Sequence, residues 1–481
     1  MLGLVLALTA ALVAQPSTDL IIRNGLIVTA TGRTQGDILV RNGLVAQIGR
    51  NVTSAGAREI DARSKLVLPG GIDPHVHLGP RQGMVGADDY ATGSRAALAG
   101  GITTIANFIT QVPGEDLLTT LNKATAVVKK EAIADVLLHA TVTDPTKVTP
   151  EAVSAIAKGY TLKIFTSRQG FDQNVAGFMR LIRNAGQAGA MTMLHCEDAA
   201  INETMIERLV AQGHRDIKYY PESRPVASEE VATQRCVGIG EVTGSPIYIV
   251  HLSSERALRV TEAAQARGLP VFVETRILYI HLTKERFDQP DGRIYTGVPP
   301  LRDPSDKNAL WQGMARGSIQ VMATDHVSYT RAEKMDPSVD ITNVRAAGNY
   351  LQVSLPLFYS EGVRSKRITL EQMVSLTSTN PAKLFGLYPR KGTIAVGSDA
   401  DLAIWDPNLK RTVRDEDQLS NAKFSIFSGW EITGWPVVTI RRGEVVYEGG
   451  TITAPPGSGQ LAPRQHWEKP DTLVAVSKGP R

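Results

Sequence analysis

Eight apolar runs rich in β-branched residues recur along the first two thirds of the chain, and longer amphipathic stretches separate them. Such alternation predicts strands joined by helices, and eight of these units predict a closed (β/α)8 TIM barrel. An open doubly wound sheet is the alternative, but no Gly-x-Gly-x-x-Gly turn follows the first run. The runs cover residues 65–78, 100–108, 134–144, 160–166, 191–197, 246–254, 269–275 and 318–326.

A different pattern, of short alternating strands, occupies residues 19–69 and returns at 388–450. Asn-Gly pairs between the apolar runs of 19–69 favour tight hairpins, because both residues tolerate positive φ. We predict that the two segments form one discontinuous β-sandwich domain, into which the barrel of residues 70–387 is inserted. Residues 451–481 are rich in Pro, Gly and charge. We predict that they form a tail that packs on a neighbouring subunit or is disordered.

The N-terminus contains an uninterrupted apolar run, residues 2–14, that ends in small residues. The run is too short to span a bilayer, but it has the length of the apolar region of an export signal. We therefore expect residues 1–18 to be a signal segment, and the mature chain to be periplasmic or secreted with no stable membrane span. No Lys or Arg precedes the run. A cytoplasmic protein with a wrongly assigned start, or a membrane-retained segment, is thus the alternative.

Charge and cysteine content limit which partners and which kinds of metal site the chain can have. The chain has 52 basic and 48 acidic residues, and it lacks the dense basic block that would neutralise phosphates, so we expect no nucleic-acid partner. The two cysteines, Cys196 and Cys236, exclude a disulfide framework and a Cys-x-x-Cys zinc site. Any bound metal must therefore be held by imidazole and oxygen.

Two histidines of the first run, His75 and His77, fall on one side of an extended backbone, because side chains alternate along a strand. The carboxyl ends of barrel strands converge on one site, and four further ligand-type residues fall at predicted strand ends. Each alone is also typical of a structural role, such as a core histidine or a helix-capping aspartate. Together they predict a metal site. The six residues are His75, His77, Lys163, His195, His251 and Asp325.

Lys163 is the unusual member of this set, because an ammonium group would repel a metal ion. Burial and nearby divalent charge lower the pKa of a lysine and favour the neutral amine. A neutral amine reacts with carbon dioxide to form a carbamate, which carries two oxygens and a negative charge. We therefore predict that Lys163 is an N6-carboxylysine that bridges two metal ions.

Several segments of the sequence are similar to those of a known enzyme family. The chain resembles the dihydropyrimidinase and D-hydantoinase branch of the amidohydrolase superfamily from residue 19 to residue 450. The resemblance implies a barrel with an appended sandwich, two zinc ions, a small cyclic amide such as a hydantoin or imide as substrate, and assembly as a homodimer or homotetramer. The matching segments are GGIDPHVHL, ADDYATGSRAALAGGITTI, LKIF, LHCED, PIYIVHLSS, PPLRDPSDKNALW, TDH and NPAKLFGLYPRKGTIAVGSDADLAIWDP.

The resemblance also implies how the ligands divide. His75 and His77 with Asp325 would hold one ion, His195 and His251 would hold the other, and carboxylated Lys163 would bridge them. A water that bridges two such ions loses a proton near neutral pH and becomes the nucleophile. Asp325 would accept the proton and return it to the leaving nitrogen.

Three positions depart from the family pattern where substrate is bound. Family hydantoinases carry a tyrosine that stabilises the oxyanion five residues after the bridging lysine, and this position is Arg168. We predict that Arg168 either takes over that catalytic role or binds an anionic group of the substrate. Val298 replaces a small polar residue and Arg276 replaces a cysteine or histidine, and both are predicted to bind substrate. Hydrolysis of an acyclic N-acyl or N-carbamoyl amino acid, and a non-catalytic scaffold, are the alternatives.

Overall fold

A computed structural model describes residues 19–79, 85–465, 467, 468, 470 and 473. The predicted signal segment of residues 1–18 lies outside the described residues. Within the described part of the chain, every helix is too short or too polar to cross a bilayer.

Seventeen strands run through these described residues. In chain order they are β1 (Leu20–Thr29), β2 (Gly32–Arg41), β3 (Leu44–Gly49), β4 (Arg58–Asp61), β5 (Leu66–Pro69), β6 (Gly71–Val76), β7 (Ile102–Thr110), β8 (Asp135–Thr141), β9 (Tyr160–Phe165), β10 (Thr192–His195), β11 (Ile247–Ile249), β12 (Val271–Arg276), β13 (Val321–Ala323), β14 (Leu402–Thr412), β15 (Glu431–Arg441), β16 (Glu444–Glu448) and β17 (Thr451–Ile452).

Fifteen α-helices connect or follow the strands in the same described ranges. They are α1 (Tyr90–Ala99), α2 (Leu117–Glu131), α3 (Pro150–Gly159), α4 (Gln169–Gln173), α5 (Val175–Gln187), α6 (Ala199–Ala211), α7 (Tyr220–Ser223), α8 (Val226–Thr243), α9 (Glu255–Ala266), α10 (Ile277–His281), α11 (Pro304–Arg316), α12 (Arg331–Met335), α13 (Leu351–Phe358), α14 (Leu370–Val374) and α15 (Asn380–Leu384).

Strands β6 to β13 are parallel and follow one another in sequence order. The first and last of them meet at their carboxyl ends, where Val76 forms a bridge with His326. The His77 N–H donates to the His326 carbonyl at 2.8 Å. Below them, the Asp73 carboxylate accepts from the Thr324 hydroxyl at 2.5 Å. These contacts bring the two edge strands together, which confirms the predicted barrel and excludes the open sheet.

The other nine strands form one sheet in the order β17-β16-β15-β14-β5-β1-β2-β3, with β4 beside β1. Strands β1–β5 precede the barrel and β14–β17 follow it. The two segments join where β14 pairs antiparallel with β5, with Leu402 opposite Pro69. Side chains from both segments, among them Ile22, Val67 and Ile440, share one buried cluster. The predicted discontinuous β domain, built from both chain ends, is confirmed.

One predicted hairpin is wrong. Asn42-Gly43 does form the turn between β2 and β3, with φ values of 51° and 79°. Asn24-Gly25 instead lies inside β1, where the register shifts between Ile22 and Gly25. The shift lets β1 pair first with β4 and then with β5. A Cβ on Gly25 would lie 2.5 Å from a methyl carbon of Val67, so this position needs glycine for close strand approach rather than for a turn.

The beginning of the predicted tail packs on its own barrel. Gly459 and Ala462 donate to the carbonyls of Ala132 and Val136 at 2.8 and 2.9 Å. Arg464 donates to the Thr161 hydroxyl at 2.8 Å. These partners lie at the amino ends of β8 and β9. The prediction of a disordered tail is therefore wrong for residues 451–465, because hydrogen bonds tie this segment to the barrel end opposite the candidate site. Packing of the tail on a neighbouring subunit stays a prediction.

Candidate metal centre and active site

His75, His77 and Asp325 form the first half of the site. His75 lies in β6, His77 just after it, and Asp325 follows β13, so barrel closure brings them together. The Nε2 atoms of His75 and His77 lie 3.3 and 3.1 Å from Oδ1 of Asp325. One ligand atom from each residue can be chosen so that all three lie within 4.8 Å of one another. This spacing allows the three side chains to share one ion.

His195 and His251 form the second half. They stand at the carboxyl ends of the adjacent strands β10 and β11, and Nδ1 of His195 lies 2.9 Å from Nε2 of His251. Burial lowers the pKa of His195 to about 4 and lowers that of His251 well below its ordinary value. Both imidazoles are therefore neutral at physiological pH, which is the form that coordinates metal.

Two buried carboxylates lie behind the histidines. Glu274 Oε1 lies 2.7 Å from Nδ1 of His75, and Glu197 Oε2 lies 2.8 Å from Nε2 of His195. A carboxylate in this position accepts the ring N–H, so the opposite nitrogen presents its lone pair to the site. Arg224 donates to both oxygens of Glu197, at 2.9 and 2.7 Å. Burial raises the pKa of Glu197, but Arg224 and His195 outweigh it and keep the carboxyl ionised.

Lys163 lies in β9, on the part of the barrel wall between β6, which carries His75, and β10, which carries His195. Its side chain is fully buried, with Nζ 5.2 Å from the ring centroid of Phe108 and 4.8 Å from that of Phe165. Within the described residues Nζ has no hydrogen-bond partner. Burial lowers the pKa of this amine to about 7. A large fraction is therefore neutral near physiological pH, as the carbamate prediction requires.

Backbone strain coincides with the ligands. His251 and Asp325 have φ values of 37° and 50°, in the left-handed region that residues with a Cβ rarely adopt. Each lies two residues beyond the end of a strand, His251 after β11 and Asp325 after β13. Such conformations persist where the surrounding contacts hold them, and they cluster at functional sites.

A cavity of about 540 Å³ opens over these ligands. His75, His77, His195, His251 and Asp325 all reach its surface. The remaining walls combine apolar with polar side chains, and its volume suits a small-molecule ligand. The other lining residues are Leu78, Gly79, Phe108, Thr110, Thr141, Phe165, Ser167, Arg168, Val298, Val327, Tyr329, Ala346 and Ala347.

Comparison with known proteins identifies the family. Residues 66–446 match the sequence model of the Amidohydrolase family. The chain therefore belongs to the amidohydrolase family. This amidohydrolase is 36% identical over 456 residues to the D-hydantoinase of Geobacillus stearothermophilus, with 92% of this chain and 96% of that protein covered.

Solved structures place the amidohydrolase more narrowly. It matches a D-hydantoinase from Bacillus sp. AR9 with a TM-score of 0.89 and 35% identity, covering 94% of this chain and 100% of that one. It matches the dihydropyrimidinase of Brevibacillus agri with a TM-score of 0.88 and 30% identity, at the same coverage. The protein thus falls in the dihydropyrimidinase and D-hydantoinase branch. It is a hydrolase of carbon–nitrogen bonds other than peptide bonds.

The predicted substrate residues of this amidohydrolase separate into two groups. Arg168 and Val298 line the cavity, and the Arg168 guanidinium lies 4.5 Å from the ring centroid of Phe165. Arg276 does not reach the cavity surface. It is fully buried behind Asp325, to which it donates a hydrogen bond. The prediction that Arg276 contacts substrate is therefore corrected, because its charged end is already used by that carboxylate.

Sequence reasoning missed the carboxylates behind the metal-site histidines of this amidohydrolase. Glu197 follows His195 by two residues, and that short spacing was the available signal. Glu274 has no such signal, because it reaches His75 across 199 residues of sequence. Its hydrogen bonds to the Tyr248 hydroxyl and the His251 N–H, both 2.9 Å, depend entirely on the barrel geometry.

Proposed function

We propose that this amidohydrolase is a binuclear metal-dependent enzyme that hydrolyses the amide bond of a cyclic amide, of the hydantoin, dihydropyrimidine or imide type. The names of its relatives, D-hydantoinase and dihydropyrimidinase, support the substrate class. The observation that carries the proposal is the meeting, at one end of the barrel, of four imidazoles, one carboxylate and one buried amine that has no hydrogen-bond partner in the described residues.

The donor set fits a pair of divalent ions such as Zn²⁺. Imidazole nitrogen and carboxylate oxygen are ordinary zinc ligands. One buried atom at the site, Nζ of Lys163, has no hydrogen-bond partner in the described residues. Such atoms are costly unless something outside the protein satisfies them. Carbon dioxide added to Lys163 as a carbamate, together with the bound ions, would satisfy this atom.

We assign one ion to His75, His77 and Asp325 and the other to His195 and His251, with carboxylated Lys163 between them. When bound, the ions supply a hydroxide nucleophile at neutral pH and polarise the substrate carbonyl. Asp325 accepts the proton of the attacking water and passes it to the ring nitrogen as the carbon–nitrogen bond breaks. The position of Oδ1, facing both His75 and His77, supports this role.

We further propose that the substrate carries a carboxylate that Arg168 binds. Among the described residues that line the cavity, Arg168 is the one lysine or arginine. Its exposed guanidinium stacks near Phe165, and its planar fork matches the two oxygens of a carboxylate. The alternative catalytic role, stabilising the oxyanion, would make Arg168 equally important for charged and neutral substrates.

The test uses the full chain reconstituted with zinc and bicarbonate. We expect hydrolysis of hydantoins, and faster hydrolysis of a hydantoin with an exocyclic carboxylate than of its matched carboxamide. Arg168→Gln should raise KM for the carboxylate substrate about 10- to 100-fold, the loss of one charged hydrogen-bond pair, and leave the carboxamide unaffected. Arg183→Gln, on the exposed face of α5, is the matched control. Absence of bound metal and of hydrolysis across the panel would refute the main proposal.

Two alternatives are separated by the same panel. An acyclic N-carbamoyl or N-acyl amino acid also offers a carboxylate to Arg168, so preference for such compounds over every cyclic amide would reassign the substrate. A non-catalytic scaffold would bind no metal and hydrolyse nothing. The complete set of six ligand-type residues, all directed to one barrel end, argues against the scaffold.

Two proposals concern the chain as a whole. We propose export through residues 1–18, which N-terminal sequencing of the protein from its native host would test by the loss of this segment. We also propose a homodimer or homotetramer, which light scattering of the purified protein would test.

A further inference from the structure

Arg276 is a permanent cation sealed behind the candidate metal centre. It ends β12, its side chain has no solvent-exposed surface, and its Nη1 donates to Oδ2 of Asp325. The other carboxylate oxygen, Oδ1, lies 3.3 and 3.1 Å from the Nε2 atoms of His75 and His77. Oδ2 of Asp325 thus pairs with Arg276, while Oδ1 faces the two histidines.

The guanidinium is confined from two other directions. Its central carbon lies 4.4 Å from the ring centroid of Tyr279. On another side, a Cβ on Gly297 would lie 1.8 Å from Nη2 of Arg276, so the guanidinium occupies the space that any larger residue would need. Nε and Nη2 have no hydrogen-bond partner in the described residues. The bond to Asp325 is therefore the main polar contact that this confined group makes.

We infer that Arg276 is a positioning residue that holds Oδ2 of Asp325 away from the metal centre, so that Asp325 faces the ions and the attacking water through Oδ1 alone. The inference rests on the proposed metal-dependent function. Without Arg276, the Asp325 carboxylate would be free to rotate and turn Oδ2 toward His75 and His77 as well. A carboxylate engaged through both oxygens would hold metal at least as well, but would be a poorer carrier of the proton.

The inference predicts a signature that a merely structural residue would not give. In Arg276→Met, we expect wild-type metal content and equal or greater resistance to removal of zinc by a chelator. The same variant should lose kcat for a neutral cyclic amide about 10- to 100-fold, the range typical for residues that orient metal ligands, with KM little changed. Arg276→Lys, which keeps one donor near Oδ2, should recover part of kcat.

Gly297 supplies a second route to the same defect. Gly297→Ala should displace the Arg276 guanidinium without removing its charge, because the clash involves the end of a flexible side chain. Gly297→Ala alone should therefore lower kcat. Added to Arg276→Met it should cause no further loss, since both changes act through the contact between Arg276 and Asp325. Arg464→Met, at the opposite barrel end, is the matched control and should keep wild-type kcat and metal content.

The outcomes separate this inference from the proposed function. If the wild-type enzyme binds no metal and hydrolyses no amide, the proposed function fails and this inference with it. If the wild-type enzyme is active, the inference alone is overturned by parallel loss of metal and kcat in Arg276→Met. Unchanged kcat in that variant, or an undiminished effect of Gly297→Ala in the Arg276→Met background, would also overturn it.

Discussion

Two fully buried lysines at opposite ends of the barrel have opposite surroundings. Lys163, near the carboxyl ends of the strands, lies against Phe108 and Phe165 and has no hydrogen-bond partner among the described residues. Lys391 lies at the amino end of β8, where Nζ is 2.7 Å from Asp135 and 3.2 Å from Asp399. It also contacts the Asp401 carboxylate. Lys163 thus forms no ion pair within the described residues, whereas Lys391 contacts three carboxylates.

This difference indicates that Lys163 serves the chemistry of the site, whereas Lys391 stabilises the fold. Burial disfavours the ammonium form, and it lowers the pKa of Lys163 to about 7 although the carboxylates of Glu274 and Asp325 raise it. Lys391 instead joins Asp135 of the barrel to Asp401 beside β14 of the nine-stranded sheet. We therefore expect Lys163 to be dispensable for folding and essential for activity, and Lys391 to be the reverse.

The largest effect is expected from Lys163→Met. The variant should lose hydrolysis by about a thousandfold or more, because metal-assisted charge stabilisation is worth several kcal/mol. Its metal-free form should be at least as stable as the metal-free wild type, since an apolar side chain replaces a buried amine that the described residues leave without a hydrogen-bond partner. Steady-state kinetics and chemical denaturation measure the two quantities. Retained activity would contradict the ligand assignment, and a large loss of stability would contradict the contrast with Lys391.

Lys391→Met should have the opposite profile. Removing the cation leaves buried Asp135 and Asp401 without their shared partner, and breaking a buried ion pair in this way costs about 3–5 kcal/mol. Urea denaturation should show that loss, while kcat of the remaining folded enzyme stays near the wild-type value. Lys129→Met, on the exposed face of α2, is the control and should change stability by less than about 0.5 kcal/mol. A stable Lys391→Met protein would break the comparison.

Glu197→Gln tests how far the carboxylates behind the ligands matter. The amide keeps the shape of Glu197 but cannot accept from both His195 and Arg224 as a charged group does. We expect resistance to zinc removal or activity to fall about 10- to 100-fold, as for other residues that orient metal-binding histidines. Chelator competition is the measurement. Glu203→Gln, on α6, is the control, and equal behaviour of the two variants would remove Glu197 from the site.

The smallest effect is a pH dependence of reconstitution. The neutral amine is the form that reacts with carbon dioxide, and the Lys163 pKa is lowered to about 7. Protonation below that value removes the reactive form, so recovery of activity by metal-free enzyme should rise with pH through about 7. The measurement follows the recovery of activity after zinc is added to metal-free enzyme at different pH values, with the concentration of dissolved carbon dioxide held fixed. A midpoint near the ordinary lysine value, or no dependence on carbon dioxide, would contradict the role of Lys163.

The barrel and the convergence of its ligands could be predicted from the sequence, because they depend on local patterns. All eight predicted strands form, and each ligand-type residue lies within two residues of the carboxyl end of a strand, which is the region that the barrel topology brings to one site. One of the amphipathic stretches between the predicted strands forms α1, which begins after the capping box of Asp89 and Thr92.

What could not be predicted depends on contacts between distant parts of the chain. The dipeptide Asn24-Gly25 is typical of a turn, but the approach of β5 makes it part of a bulge within β1. The position of Arg276 is decided by Asp325 and Gly297 rather than by its own neighbours in sequence. Likewise, the packing of residues 451–465 requires free backbone groups on β8 that composition does not reveal.

The most direct test of the account is crystallography of the wild-type enzyme prepared with zinc and bicarbonate, with anomalous scattering collected at the zinc edge. The account predicts two anomalous peaks, one beside His75 and His77 and one beside His195 and His251, with extra density for a carbamate on Lys163 between them. A single peak with an unmodified Lys163 turned away from it would contradict the binuclear centre.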